Sequence, residues 1–196
     1  MTKFLLKNAK HALLVGLATF LSAIVIVLGS EFFLNRITSL FLSFFILLII
    51  ILIGILFDII GVAAAAAIEP PLHACAAKKQ SGAQHAITLV RNADKVASFS
   101  SDVVGDIAGT VSGAIGASII FRLTTLDPSY NSVVLGTIMT GVVAALTVAG
   151  KAFGKSFAIN EANYIIFNVG RLLYMLEDKF GISIICKSNS RSKQRR

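Results

Sequence analysis

Charge is scarce in this sequence. Only 14% of its 196 residues are charged, against about 25% in an ordinary soluble domain. Hydrophobic residues make up 56%, and the mean hydropathy is +0.82. So few charges cannot cover a globular surface; a bilayer is the solvent that fits. Cysteine is nearly absent. Cys75 and Cys186 are the only two, neither has a C-x-x-C partner, and both fall in segments expected on the cytoplasmic side. A disulfide framework or zinc site is therefore not expected. His11, His73 and His85 are scattered, without ligand spacing, and read as interfacial polar residues. No nucleophile–base pair, P-loop or glycine fingerprint is present, and Ser98, Ser100 and Ser101 read as cap and turn residues. The composition thus gives no sign of an enzyme. The formal net charge is +8, but the basic residues flank apolar runs instead of interleaving with aromatics. They predict membrane topology, not nucleic acid as a partner.

Long apolar runs are what the chain does have. The first spans about 12–29, behind Lys3, Lys7 and Lys10. It reads as an uncleaved membrane helix or as a signal peptide, and its length favours the helix. The second covers 37–65 with a single ionisable residue, Asp58, and ends in five alanines, Ala63 to Ala67. Pro70-Pro71 then breaks the helix. Segment 69–100 is polar, and reads as a helical hairpin of Leu72–Lys79 and Ala83–Val90 punctuated by Gly82. Asn92-Ala93-Asp94 predicts a turn before the third span, 102–121.

The third span is built from small residues. Gly105, Gly109 and Gly113 recur every four positions, a spacing that lets helix backbones meet closely in lipid. It predicts burial in the bundle or a homodimer seam. A short link containing Asp127-Pro128 makes a hairpin with the fourth span, 133–150. An amphipathic juxtamembrane helix is expected over 160–180. The tail 187–196 is basic and reads as disordered, in reach of anionic lipid. The expected fold is therefore a single all-α transmembrane domain over 1–186: four spans, a cytoplasmic hairpin and a juxtamembrane helix.

Orientation follows from charge. Sixteen of the eighteen basic residues fall on the side of the two termini and the 69–100 hairpin; the other side receives only Arg36 and Arg122. This predicts a multi-pass protein of the cell (plasma) membrane with both termini cytoplasmic.

An acid at membrane depth costs about 2.5–3.5 kcal/mol on insertion scales, so Asp58, Asp102 and Asp106 stand out. Asp102 and Asp106 share a helix face, and carboxylates beside glycine-exposed carbonyls suit a hard cation such as Mg²⁺. Structural alternatives stand beside this reading. Asp102 follows two serines and can cap a helix, Asp58 can sit hydrated at headgroup level, and Lys151 or Lys155 can serve as internal counter-charge to Asp106.

The order of segments resembles the transmembrane domain of the cyclin M/CorB–CorC family of magnesium transporters. The stretches that carry the likeness run from Leu72-His73-Ala74 through Gly82 to Asn92-Ala93-Asp94-Lys95, and over Gly150-Lys151-Ala152-Phe153-Gly154-Lys155-Ser156-Phe157-Ala158. The likeness covers about 56–176. It implies divalent cation transport or homeostasis, with magnesium as the bound or transported ion. Where that family has a Ser-Glu pair, this chain has Gly61 to Ala64. Where the family has an Asn-rich stretch, this chain has Val104 to Asp106. At the junction Lys151 stands for a glutamate and Gly154 for a proline. The family's cytoplasmic nucleotide-binding domains have no counterpart here. Two functions follow: a cation transporter with Asp102, Asp106 and, less directly, Asp58 facing the ion, or a non-transporting assembly protein whose ion path Lys151 has sealed.

Overall fold

The computed structural model describes residues 39–180 and, within the first apolar run, Leu13, Gly16, Leu17, 20–25 and 27–29. Lys3, Lys7, Lys10, His11, Arg36, Cys186 and the tail 187–196 lie outside the described residues. All regular structure among the described residues is helical.

Helix α1 (Leu40–Ala66) is apolar on every side, as suits a helix surrounded by helices and lipid. It stops where Ala67 and Ile68 turn extended. Pro70 then sits in the first turn of α2 (Glu69–Ala77), where its missing N–H leaves no bond unmade. Lys79 and Gly82 both adopt positive φ, 54° and 84°. These two reversals fold α3 (Ala83–Arg91) back against α2. The Asn92 turn follows, as the sequence predicts. The third span then departs from expectation. Helix begins at Ala93 instead of 102. It runs through α4 (Ala93–Ala97) and a π-helical stretch (Ser98–Val104) into α5 (Gly105–Leu126) without interruption. Asp102 therefore lies inside a helix and caps nothing.

Asn131 starts α6 (Ser132–Asn160), its Oδ1 accepting from the N–H groups of Val133 and Val134. The helix does not end near Lys155 but continues to Asn160. Its glycines serve as contact points instead of stops: Gly150 lies against Ile55, and Gly154 against Ile59. Glu161 leaves helical geometry, and α7 (Ala162–Phe180) follows. Three stretches are long and apolar enough to cross a membrane: Leu40–Ala66, Ala93–Leu126 and Ser132–Asn160. In the first apolar run, Ala23 and Val27 pack against the bundle.

Two cores stack along α1. Toward its start, Leu47 and Ile51 meet Ile107, Val111, Ile115 and Ile119 of α5 and Val143 of α6. Toward its end, Ala63, Ala64 and Ala67 form a small-residue seat for Leu72, Ile87, Ala158 and Ile166. The five-alanine run therefore seats the hairpin and α7. Around α6, Val133, Ile138, Val142, Leu146 and Val148 stay exposed. A soluble monomer rarely presents so contiguous an apolar surface.

Gly109 and Gly113 of the glycine ladder are not buried inside the bundle, which leaves the homodimer seam as the reading their spacing allows. A Cβ on Gly109 or Gly113 would meet nothing within 4 Å, and both face outward. The close approaches are made elsewhere. Gly54 and Gly61 of α1 lie against Ala108 and against Ser101 and Ala97, and Gly170 of α7 lies 2.7 Å from the Ala86 nitrogen and the Gly82 carbonyl oxygen, measured from its would-be Cβ. Both neighbours of Gly170 are backbone and cannot turn aside. Gly170→Ala should therefore cost about 1–3 kcal/mol by overpacking, whereas Gly109→Ala and Gly113→Ala should stay within about 0.5 kcal/mol. Thermal unfolding of the detergent-solubilised chain, followed by circular dichroism, checks both.

Candidate functional site

The structure puts one acid on the inner face of the bundle and two on its outside. Gly54, Asp58 and Gly61 fall four and three residues apart, so they share one face of α1. That face meets the 97–108 stretch: Gly54 lies against Ala108 and the Gly105 carbonyl, and Gly61 against Ser101. Between these glycines Asp58 is only 5% exposed, and its Oδ2 is buried without a hydrogen-bond partner. A buried charged oxygen in that state is costly, and native structures tolerate few.

Among the described residues Asp58 is the only acid that is buried. Ser100 is buried too, and its carbonyl accepts the Gly105 N–H across the wide π turn. From the far side α6 brings Lys151, half-buried, with Nζ 3.4 Å from where a Cβ on Gly105 would stand. Gly105 is thus the meeting point of Gly54, on the face that carries Asp58, and of the Lys151 ammonium. Among the described residues no ion pair within 4.0 Å joins Lys151 to Asp58, Asp102 or Asp106.

Asp102 and Asp106 are exposed, on the outer face that also carries Gly109 and Gly113. The structure does not bring them to Asp58, and among the described residues no three His, Cys, Asp or Glu side chains converge as metal ligands. Lys155 is exposed as well and pairs with no described acid. The sequence weighs the three acids by depth and spacing. It cannot tell which helix face meets α1. The one legible signal for Asp58 is Gly-x-x-x-Asp-x-x-Gly over 54–61, an acid framed by small residues.

Polar order also gathers in the hairpin layer. Glu69 Oε2 accepts from Arg91 Nε and Nη2 at 3.1 and 3.0 Å, and lies 2.9 Å from His73 Nε2. His85 Nε2 lies 2.6 Å from Glu177 Oε2, with Tyr174 edge-on to its ring. Asn163 Oδ1 accepts the Ile68 N–H at 3.0 Å, tying α7 to the end of α1. The sequence reads both hairpin histidines as scattered; their partners lie four residues away for His73 but 92 residues away for His85. Only the first of these spacings is visible as a helix-face pair.

Comparison with family models, with curated proteins and with solved structures finds no match for the chain.

The Arg91 guanidinium, and after it His73, hold the Glu69 carboxyl below its ordinary value of 4.5. A carboxyl depressed on folding stabilises the fold in full above its unfolded value, and that contribution is lost as pH falls through the lower folded value. Glu69→Gln should therefore lower the melting temperature at neutral pH. The difference from the parent should shrink to nothing below pH 4.5, once the folded value is passed. Melting curves of both proteins across an acid series measure it.

Proposed function

We propose that this is a multi-pass membrane protein of divalent cation transport or homeostasis, most simply magnesium, built on a divergent cyclin M/CorB–CorC-like transmembrane domain. The supporting observation is the unpartnered, buried Oδ2 of Asp58, facing a π-helical turn inside the bundle. A carboxylate held there gains most from a cation. Mg²⁺ suits a site with few protein ligands, because it keeps several waters and takes one or two carboxylates. Ser101 and the turn's carbonyls can complete such a shell. In this reading the ion-facing acid is Asp58, while Asp102 and Asp106, exposed on the outer face of α5 and the stretch before it, lie apart from the ion. The first apolar run supplies a fourth span, both termini are cytoplasmic, and the membrane is the plasma membrane.

A second reading has its own observation. The Lys151 ammonium reaches to Gly105, on the far side of the face that holds Asp58. A fixed internal cation there would seal the path and leave an assembly or partner-binding protein.

Asp58→Asn separates the two. If Asp58 is a cation ligand, removing its charge leaves the divalent-free protein as stable as the parent or more so, because an uncompensated buried charge is gone. If Asp58 is neutralised by Lys151, the substitution breaks a buried pair and costs about 3–5 kcal/mol. Thermal unfolding across a Mg²⁺ series, against Na⁺ at matched ionic strength, supplies the second measurement. Mg²⁺ at 100 times its Kd should stabilise the parent by about 2.7 kcal/mol. Asp58→Asn should remove that gain, and Asp102→Asn and Asp106→Asn should leave most of it. A parent that ignores Mg²⁺ would sink the transport reading.

A further inference from the structure

A second feature lies on the adjacent flank of α1, about 100° round the helix from Asp58, and nothing about it rests on the cation site. A cleft of about 370 Å³ opens between α1, the 93–104 stretch and α7, within the range of about 300–1,000 Å³ typical of small-molecule sites. Its walls are apolar: Phe57 and Ile60 from α1, Val96 and Phe99 from the 93–104 stretch, Leu172 and Leu173 from α7. Phe99 is 59% exposed and Leu172 57%. The one charged residue lining it is Lys95, at its edge.

We propose that this cleft binds an anionic glycerophospholipid of the leaflet at the Ala66 end of α1, with an acyl chain along Phe57 and Phe99 and the phosphate at Lys95.

Three observations choose this occupant. The first is charge. Lys95 is exposed and makes no ion pair with any described acid, whereas Arg91, one helical turn earlier in the chain, is held by two bonds to Glu69. The Lys95 ammonium is therefore a cation at the cleft's edge with no described acid to hold it. The second is depth. Phe57 lies nine residues before the end of α1, about 13 Å along its axis. The cleft thus runs from a charged edge down the flank of a spanning helix, the shape of a headgroup followed by a tail. The third is the poverty of polar partners. Lys95 and Ser100 alone carry polar side chains on its walls, too few to satisfy a peptide backbone. The chain's own tail is unsuited as well. Residues 187–196 carry five basic residues and no acid, so Lys95 repels them.

The test uses the full chain in detergent. It is titrated with phosphatidylglycerol and with phosphatidylcholine of matched tails, and binding is read by native mass spectrometry and by thermal shift. One lysine beside an anionic headgroup should favour phosphatidylglycerol about fivefold. Lys95→Gln, at an exposed position that the fold does not need, should bring that ratio to about one; Lys78→Gln, outside the cleft, should leave it unchanged. Phe99→Ala should weaken both lipids alike. Equal binding of the two lipids by the parent overturns the proposal, as does a preference that survives Lys95→Gln. It is overturned too if inorganic phosphate protects the protein as well as the lipid does, since the tail would then contribute nothing.

Discussion

The closeness of α1 to the 97–108 stretch is the constraint on which the rest of the bundle depends. In a bilayer no hydrophobic force drives helix against helix, so close packing must do it. Gly54 and Gly61 allow that approach, with Ala108, Ala97 and Ser101 filling the opposite side. The approach then decides the fate of everything between the two glycines. Asp58 stands on the same face, so a seam tight enough to hold the bundle also shuts its carboxylate away from solvent. The packing device and the chemical oddity of this protein have one cause.

A carboxylate in that place has three ways to lower its cost: a proton, an internal cation or an external one. Lys151 makes the second physically available, since its half-buried ammonium already reaches Gly105. Yet the lysine stops short of the acid. No ion pair within 4.0 Å forms between them, and Oδ2 remains unpartnered. A sealed pair would be expected to close that gap, because a buried ion pair repays its desolvation only with good geometry and added hydrogen bonds. The incomplete closure argues against a self-neutralised core, and it is the ground on which we propose an outside cation.

Much of the architecture was legible because hydropathy and helix breakers report local physics. The long apolar runs set the positions of α1 and α6. Pro70, Gly82 and Asn92 mark the ends of the hairpin helices within a residue or two. What failed needed knowledge of partners. The spacing of Gly105, Gly109 and Gly113 is regular whether the stripe faces a helix or lipid, and here Gly109 and Gly113 face outward. Asp102 followed two serines like a cap, but α4 had already started the helix nine residues earlier. Gly150 and Gly154 look like a junction, while contacts with Ile55 and Ile59 hold α6 straight through them. His85 and Glu177 are too far apart in sequence for any periodicity to join them.

The π-helical turn links the two sites on adjacent flanks of α1. Residues 93–126 form one helix, carrying Lys95 and Phe99 of the apolar cleft at one end and Ser101 and Gly105 of the Asp58 face a turn later. In a regular α-helix each residue advances about 100°, so a wider turn changes the angle between the helical segments on its two sides. Wide turns of this kind concentrate at functional sites. Here the turn lets Phe99 face α7 while Gly105 still faces α1 and Lys151. Straightening it into α-helix would rotate one set off its partner.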